Sequence, residues 1–461
     1  MPRIAPNQVQ SAAINKFLNS ADEHEMHSLI IAQSGKVIYE YFWEPYRANA
    51  RHQLFSLSKS FTSIALGMLI DEGRANVDMK LSEIFVKEFE EHKPEISENM
   101  RKTTLKNLLT MASGMDYEAW ASKEGESAIV SFLTGKFADE PGQTFRYSSI
   151  ATYICSAALT RITGESLVDF LKPRLFEPLG CENYFWSYYE ADGANAGGFG
   201  LSAPTETIAK FGVLLANGGE WKGKRLVSKE YISEATKKQI SNGDGDHDWS
   251  NGYGYQFWIC KKSGVYRGDG MFGQYMVINE SAKTVIAATS NVDMGKVMGL
   301  FSELLTNLET PNSELKGDCA NYSKTHLIRT PSDNWREFFG EYDFCAKDGT
   351  TTRVCFESFD DELIFSKDNH AFLFSKDNWT HGVAPSLNNR IGFPEKILRF
   401  VSYGSWQGSE FRATLWWYEA ACKFEIVFKF SKDFSKFIAL KRSGGFDATF
   451  EDWGTGKIFK I

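Results

Sequence analysis

From Glu309 to Asp333 the chain is polar and interrupted by Pro311 and Pro331, and the patterning on its two sides implies two different architectures. Downstream, short alternating aromatic runs dominate, among them Phe356-Glu357-Ser358-Phe359, Arg412–Tyr418, Phe424–Phe430 and Phe437–Lys441. The pentads Phe365-Ser366-Lys367-Asp368-Asn369 and Phe374-Ser375-Lys376-Asp377-Asn378 recur, with a variant at Phe430-Ser431-Lys432-Asp433-Phe434. Each reads as a strand ending in a turn-forming Asp or Asn, not as a functional repeat. The expectation is a first domain over 1–310, a linker over 311–334, and an all-β sandwich or barrel over 335–461.

Upstream, helical and strand periods are interleaved. Residues 8–20 show a helical pattern, followed by strands at Ser28–Ala32 and Lys36–Phe42 around a turn at Gln33-Ser34-Gly35. A short helix is expected at Thr103–Met111, with longer ones at Tyr147–Thr163, Leu167–Leu175, Thr205–Asn217 and Lys229–Lys238. Strands are expected at Tyr255–Cys260, Val265–Gly270, Gln274–Asn279 and Thr284–Ser290, before a last helix at Met294–Leu308. The fold class is therefore α/β (α+β). One antiparallel sheet, drawing strands from both ends of this region, is flanked by helices, with 8–20 and 294–308 on the same face.

Within this frame, Leu54-Phe55-Ser56-Leu57-Ser58-Lys59 carries the densest chemistry. Ser56 and Lys59 are three residues apart at the start of an apolar run, Phe61 to Ile70, that ends at Asp71-Glu72-Gly73. On a helix, such residues share a face one turn apart. A partly desolvated lysine beneath a serine hydroxyl can take its proton, and a helix N-terminus favours a developing oxyanion. A second Ser-x-x-Lys, Ser313 to Lys316, lies in the polar stretch and reads as linker.

Other chemistries find less support. The formal net charge of −8 disfavours a nucleic-acid partner. No apolar run is long enough to span a membrane, and residues 1–7 lack a signal-peptide core. Seven scattered cysteines without a metal-type pair fit reduced thiols, so a cytoplasmic location is expected. The histidines are dispersed, and His24 and His27 lack a partner motif. Asp244-Gly245-Asp246-His247-Asp248 lacks the terminal Glu of a calcium loop and reads as a solvated loop. No cofactor or metal is expected. Glu118 reads as a loop acid, while Trp186, Tyr253 and Phe272 are candidates for either an apolar pocket or the core.

A serine–lysine pair needs a second proton carrier and oxyanion donors. Pro141-Gly142 through Tyr147-Ser148-Ser149 offers Tyr147 at the mouth of a helix. Together with Leu108 to Gly114, Gly198 to Ala203, Tyr253 to Trp258 and Gly270 to Gln274, these motifs resemble the serine β-lactamase/penicillin-recognising superfamily from about residue 10 to 308. The likeness is to its class C β-lactamase-like branch, near β-lactamase-like esterases and 6-aminohexanoate-dimer hydrolases. The resemblance implies Ser56 as acylated nucleophile, Lys59 as its base and Tyr147 as second proton shuttle, held as or near a phenolate by Lys59. It also implies the third motif at Gly268-Asp269-Gly270, with the Met271 N–H opposite that of Ser56 as oxyanion donors.

Two departures bear on substrate. Ser149 replaces the family's usual Asn, and Gly268 replaces its cationic Lys or His, while alternation aims Arg267 and Asp269 away from the cleft. A substrate carboxylate would lack its usual partner. The expected function is a serine hydrolase acting on an ester or amide in a small molecule or short peptide. Its alternatives are a D-amino-acid peptidase or weak β-lactamase, and a non-catalytic binding protein of the same fold.

Overall fold

The computed structural model describes residues 1–116, 126–309, 338–359, 362–367, 370–375, 379–384, 398–417, 423–443 and 448–458. The chain divides into two compact units, one of Met1–Phe42 with Ala48–Ser323 and one of Trp43–Arg47 with Lys324–Ile461. The sequence-expected linker and Glu118 lie outside the described residues.

The first unit is built on a six-stranded antiparallel sheet. Its order is Trp258–Ile259, Val265–Gly270, Gln274–Asn279, Thr284–Asn291, Glu25–Gln33, Lys36–Phe42, so both ends of the region contribute. Leu29 faces Ala288 and Ile31 faces Ile286 across the junction. Strands Gln274–Asn279 and Thr284–Asn291 are buried throughout, and Glu25–Gln33 is buried between its two end residues, because helices cover both faces.

On one face, helix Gln8–Ala21 opens with a capping box. The Asn7 side chain accepts from the Gln10 N–H at 2.9 Å, and the Gln10 side chain accepts from the Asn7 N–H at 2.8 Å. Phe17 of this helix stacks on Phe301 of helix Met294–Glu309 at 5.4 Å. Tyr275 ties that layer to the sheet through its ring on Phe301 and its hydroxyl donating to the Met294 carbonyl at 2.7 Å.

On the other face, helix Thr205–Ala216 lies so close that a Cβ on Gly212 would stand 2.5 Å from Val285 Cγ1. Beyond it sits helix Ser58–Asp71, whose residues from Ser58 to Leu69 are all buried. Phe61 anchors it by stacking on Phe211 at 3.9 Å.

Several expected elements are shorter than their sequence patterns; the helix expected at Tyr147–Thr163 begins at Ser149, and that expected at Leu167–Leu175 is α-helical over Leu167–Leu171. Helix Lys229–Ala235 ends early, and the strand expected at Tyr255–Cys260 is reduced to Trp258–Ile259. Tyr255 instead donates to the Ala235 carbonyl at 2.9 Å, and Gln256 adopts a left-handed φ of 66° that no strand accommodates. The helix expected at Thr103–Met111 is Leu105–Leu109, capped by Thr104.

The second unit is a ten-stranded antiparallel sheet that nearly closes into a barrel. Its order runs from His370–Ser375 through Glu362–Lys367, Thr351–Phe359, Phe338–Ala346, Glu451–Ile458, Lys436–Ser443, Lys423–Phe430, Glu410–Trp417 and Leu398–Gln407 to Thr380–Ala384. The two ends are stitched by side chains: Thr380 Oγ1 and Ser402 Oγ donate to the Leu373 carbonyl at 2.5 and 2.6 Å. Aromatic rings fill the interior, with Phe356 within 5.5 Å of Phe365, Phe428, Phe430 and Phe437. Gly404 makes room for this packing, since a Cβ there would collide with the Phe411 ring. Phe365 and Phe374, which open two of the repeated pentads, both point inside. Asp433 of the third forms a turn, and bonds from Ser431 and Ser435 pull its carboxyl down to about 2. Tyr46, from the short Trp43–Arg47 segment, packs with Val401, Trp416 and Trp379 in this unit.

Because Phe17 is 3% exposed and stacked on Phe301, Phe17→Ala should cost about 3–5 kcal/mol. Urea unfolding followed by signals from the first unit would measure it. A loss below about 1 kcal/mol would mean that the two helices are not joined through this contact.

Candidate active site

Ser56 lies in a 3-10 turn, Phe55–Leu57, that feeds directly into helix Ser58–Asp71. Phe55 has a left-handed φ of 48°, so the chain enters the turn in a conformation that a bulky side chain rarely adopts. The Ser58 hydroxyl steadies the turn by donating to the Phe55 carbonyl at 2.6 Å and accepting from the Leu201 N–H at 3.1 Å. One turn on, Lys59 is 1% exposed. Its Nζ is hydrogen-bonded to Ser56 Oγ at 3.0 Å, Ser149 Oγ at 3.0 Å and the Gly198 carbonyl at 2.7 Å.

Each partner is placed by its own element. Ser149 begins helix Ser149–Thr163, whose N-cap Ser148 accepts from the Ala151 N–H at 3.2 Å. Gly198 belongs to a strap with no room for side chains. A Cβ on Gly197 would stand 2.6 Å from Ser156 Cβ, and one on Gly198 would stand 2.5 Å from the Ser149 carbonyl oxygen. Thr62 fixes the strap by donating to the Gly197 carbonyl at 2.8 Å.

Tyr147 is 38% exposed, and Lys59 Nζ lies over its ring at 4.8 Å from the centroid. Trp258 stacks on Tyr147 at 5.4 Å, and Phe145 and Tyr253 pack edgewise around the pair. Burial, followed by the neighbouring Tyr147, pushes the Tyr253 phenol well up, so it presents a neutral ring.

Strand Val265–Gly270 closes the other side of the serine turn. A Cβ on Gly268 would stand 2.5 Å from Ser60 Oγ and 2.6 Å from Leu57 Cδ1, and one on Gly270 would collide with the Leu54 carbonyl. The two glycines thus let the strand lie directly against the turn that carries Ser56. Met271 follows on an exposed turn, where Gln274 donates to its carbonyl at 3.0 Å and Phe272 contacts Phe55 at 5.3 Å.

Arg267 and Asp269 point the other way, as strand alternation requires. Arg267 is fully buried, with Nε 3.0 Å from Asp269, Nη1 2.5 Å from Asp248, and the Trp249 ring 4.7 Å away. Trp249 donates to Asp269 at 2.9 Å. Burial holds the Asp269 carboxyl above its usual range, against the opposing pull of Arg267.

The fold therefore gathers Ser56, Lys59 and Ser149 by hydrogen bonds, sets Tyr147 over the lysine, and lays Gly268 and Gly270 against the same turn, with Met271 next in the chain. Sequence reasoning missed the Gly198 carbonyl, Gln256, Trp258 and Gln274 as elements of the site, although all four stand in motifs it singled out. Trp186 and Tyr253 are buried, with the Trp186 indole donating to the Phe199 carbonyl at 2.9 Å. In the acidic loop, Asp246 pairs with Lys261 and Asp248 with Arg267. Among the described residues, no group of three or more His, Cys, Asp or Glu side chains could hold a metal ion. His27 is partnered by His52 at 2.9 Å, and burial lowers His52 to about 3. Among the described residues, no helix is long and apolar enough to cross a membrane.

The sequence model of the Beta-lactamase family matches residues 18–299, more than half of the chain. A 6-aminohexanoate-dimer hydrolase from Paenarthrobacter ureafaciens is 22% identical over 290 residues, covering 57% of this chain and 72% of that protein. The solved structure of EstCE1, a hydrolase with promiscuous acyltransferase activity, aligns with a TM-score of 0.54 at 16% identity, covering 66% of this chain and 99% of that one. The octameric penicillin-binding protein homologue from Pyrococcus abyssi aligns with a TM-score of 0.52 at 15% identity, covering 97% of this chain and 99% of that one. At such identities, the likeness to these structures speaks for the fold.

Arg267→Leu would leave the Asp269 carboxylate buried without its ion partner, at a cost of about 3–5 kcal/mol near neutral pH. With Arg267 gone, the folded-state pKa of Asp269 rises further above its unfolded value. Its protonated form then stabilises the fold, and that contribution is lost as pH rises through the folded value. Denaturation at several pH values should show the deficit growing from acid to alkaline conditions. A deficit independent of pH would contradict this assignment.

Proposed function

Since the chain belongs to the Beta-lactamase family, we propose that it is a serine hydrolase that cleaves a neutral ester or amide through an acyl-enzyme on Ser56. The observation that carries the reading is the 3.0 Å contact between the buried Lys59 Nζ and the half-buried Ser56 Oγ. Supporting it are relatives whose names describe hydrolases, among them the 6-aminohexanoate-dimer hydrolase and EstCE1.

In this reading Lys59 enters the step as the neutral amine, and Ser56 Oγ attacks the substrate carbonyl carbon while its proton passes to Lys59 Nζ. The carbonyl oxygen becomes an oxyanion received by the backbone N–H groups of Ser56 and Met271. Tyr147 carries a proton between Lys59 and the leaving oxygen or nitrogen, so the carbonyl–heteroatom bond breaks with a neutral leaving group. Water then attacks the acyl-Ser56 carbonyl, its proton returns along the same groups, and the acid product leaves. Ser149 holds Lys59 in place between the two proton transfers.

Gly268 shapes the substrate preference. The position is packed against Ser60 and Leu57, and Arg267 beside it is committed to Asp248 and Asp269. A carboxylate-bearing substrate would find no cation from this strand, whereas the half-buried Phe55 and Phe272 and the exposed Tyr147 and Met271 offer apolar surface.

Steady-state kinetics would test this with p-nitrophenyl acetate, nitrocefin and a D-alanyl-D-alanine peptide. Ester turnover should exceed that of the two carboxylate-bearing substrates. Lys59→Ala should lower kcat/KM for the ester by about 10²–10⁴-fold. Preference for the D-alanyl peptide would favour a peptidase, and no turnover of any substrate would favour a binding protein.

A further inference from the structure

We infer that the segment Gln256–Trp258 sets the relative positions of the proton-carrying groups, with Gln256 locking the two helices that bear Lys59 and Ser149 and Trp258 aligning Tyr147. The inference rests on the hydrolase reading above and adds two positioning residues to it.

Gln256 is 2% exposed, and four of its polar atoms are engaged. Its carbonyl accepts from Ser60 Oγ at 3.0 Å, one residue after Lys59 on the serine helix. Its side-chain oxygen accepts from Thr152 Oγ1 at 2.7 Å, within the first turn of the helix that begins at Ser149. Its side-chain nitrogen donates to the Leu108 and Leu109 carbonyls at 3.1 and 2.9 Å, and its backbone N–H donates to Leu109 at 3.1 Å. One residue thus binds three separate helices at the point where the site residues leave two of them. It does so from a left-handed φ of 66°, a conformation that a glutamine keeps only when its surroundings impose it. The same conformation ends the strand pattern there and frees the chain to turn toward Trp258.

Trp258 sits on the edge strand of the sheet, so its outer side is open to Tyr147. The rings are 5.4 Å apart and nearly parallel, at 21°. Behind Trp258 lie two fixed groups: the Arg267 guanidinium 5.9 Å from its ring, and the edge of Tyr253 at 4.8 Å. Tyr147 is therefore held between a rigid indole and Lys59 Nζ, 4.8 Å from its centroid. The charged and titratable groups around it are Lys59 from the serine helix, Tyr253 beside it, and Arg267 and Asp269 behind Trp258. Small displacements of such groups are costly in rate because proton transfer depends on their alignment. The Arg267–Asp269–Asp248 ion pairs gain a role from this arrangement: they brace the ring that braces the tyrosine.

The test uses the full chain and the variants Trp258→Leu, Trp258→Phe and Gln256→Gly, with p-nitrophenyl acetate as substrate. Trp258→Leu should lower kcat by about 10–100-fold while KM stays within about twofold. The pH at which kcat/KM is half-maximal should also move by about half a unit or more, which loss of stability alone would not cause. Trp258→Phe, which restores a flat ring, should recover most of both. Gln256→Gly suits the left-handed backbone and so should fold, yet it should lower kcat by a similar factor, and this variant decides the matter if Trp258→Leu does not fold. Wild-type kcat and pH profile in Trp258→Leu and Gln256→Gly would overturn the positioning role, as would equal impairment of Trp258→Leu and Trp258→Phe. Absence of hydrolysis of the ester, nitrocefin and the D-alanyl peptide alike by the wild type would overturn the hydrolase reading and the inference together, whereas unimpaired variants of an active wild type would overturn the inference alone.

Discussion

The buried amino group of Lys59 is the constraint on which the rest of the first unit depends. A polar group taken out of water must be met by hydrogen-bond partners, and here Ser56, Ser149 and Gly198 supply them from three different parts of the chain. Meeting that demand dictates much of the surrounding sequence. The serine turn needs the left-handed Phe55, the Ser149 helix needs its Ser148 cap, and the Gly197-Gly198 strap needs two residues without side chains.

The same economy of space governs the sheet edge. Gly268 and Gly270 bring a strand against the serine turn, and the price is a position where the family usually carries a cation. The cation present on this strand, Arg267, is spent on the opposite face, where it neutralises Asp248 and Asp269. The substrate preference proposed above follows from that division of one strand into a close-packed face and an ion-paired face.

Much of this was legible in the sequence, and the exceptions share a cause. Strands Val265–Gly270 and Gln274–Asn279 have the boundaries their patterns imply, because buried strands carry their signal in successive residues. Ser56, Lys59, Tyr147 and Ser149 could be singled out because spacing and motif order are local properties. The truncated strand at Trp258–Ile259 could not be foreseen, since it follows from Gln256 bonding to Thr152 and Leu109, far away in the chain. The Gly198 carbonyl was invisible for a related reason: a backbone acceptor has no side-chain signature, and only the adjacent glycine pair hinted at a close approach. In the second unit, alternating aromatics announced β structure, but the Thr380 and Ser402 stitch and the place of Tyr46 arise from contacts between distant segments.

The most direct test of the central claim is the intact mass of the protein after exposure to a fluorophosphonate probe, for the wild type and for Ser56→Ala. The account predicts a single adduct on the wild type, mapped to Ser56 by peptide sequencing, and none on the variant. An adduct of equal extent on both proteins, or on neither, would contradict Ser56 as the activated nucleophile.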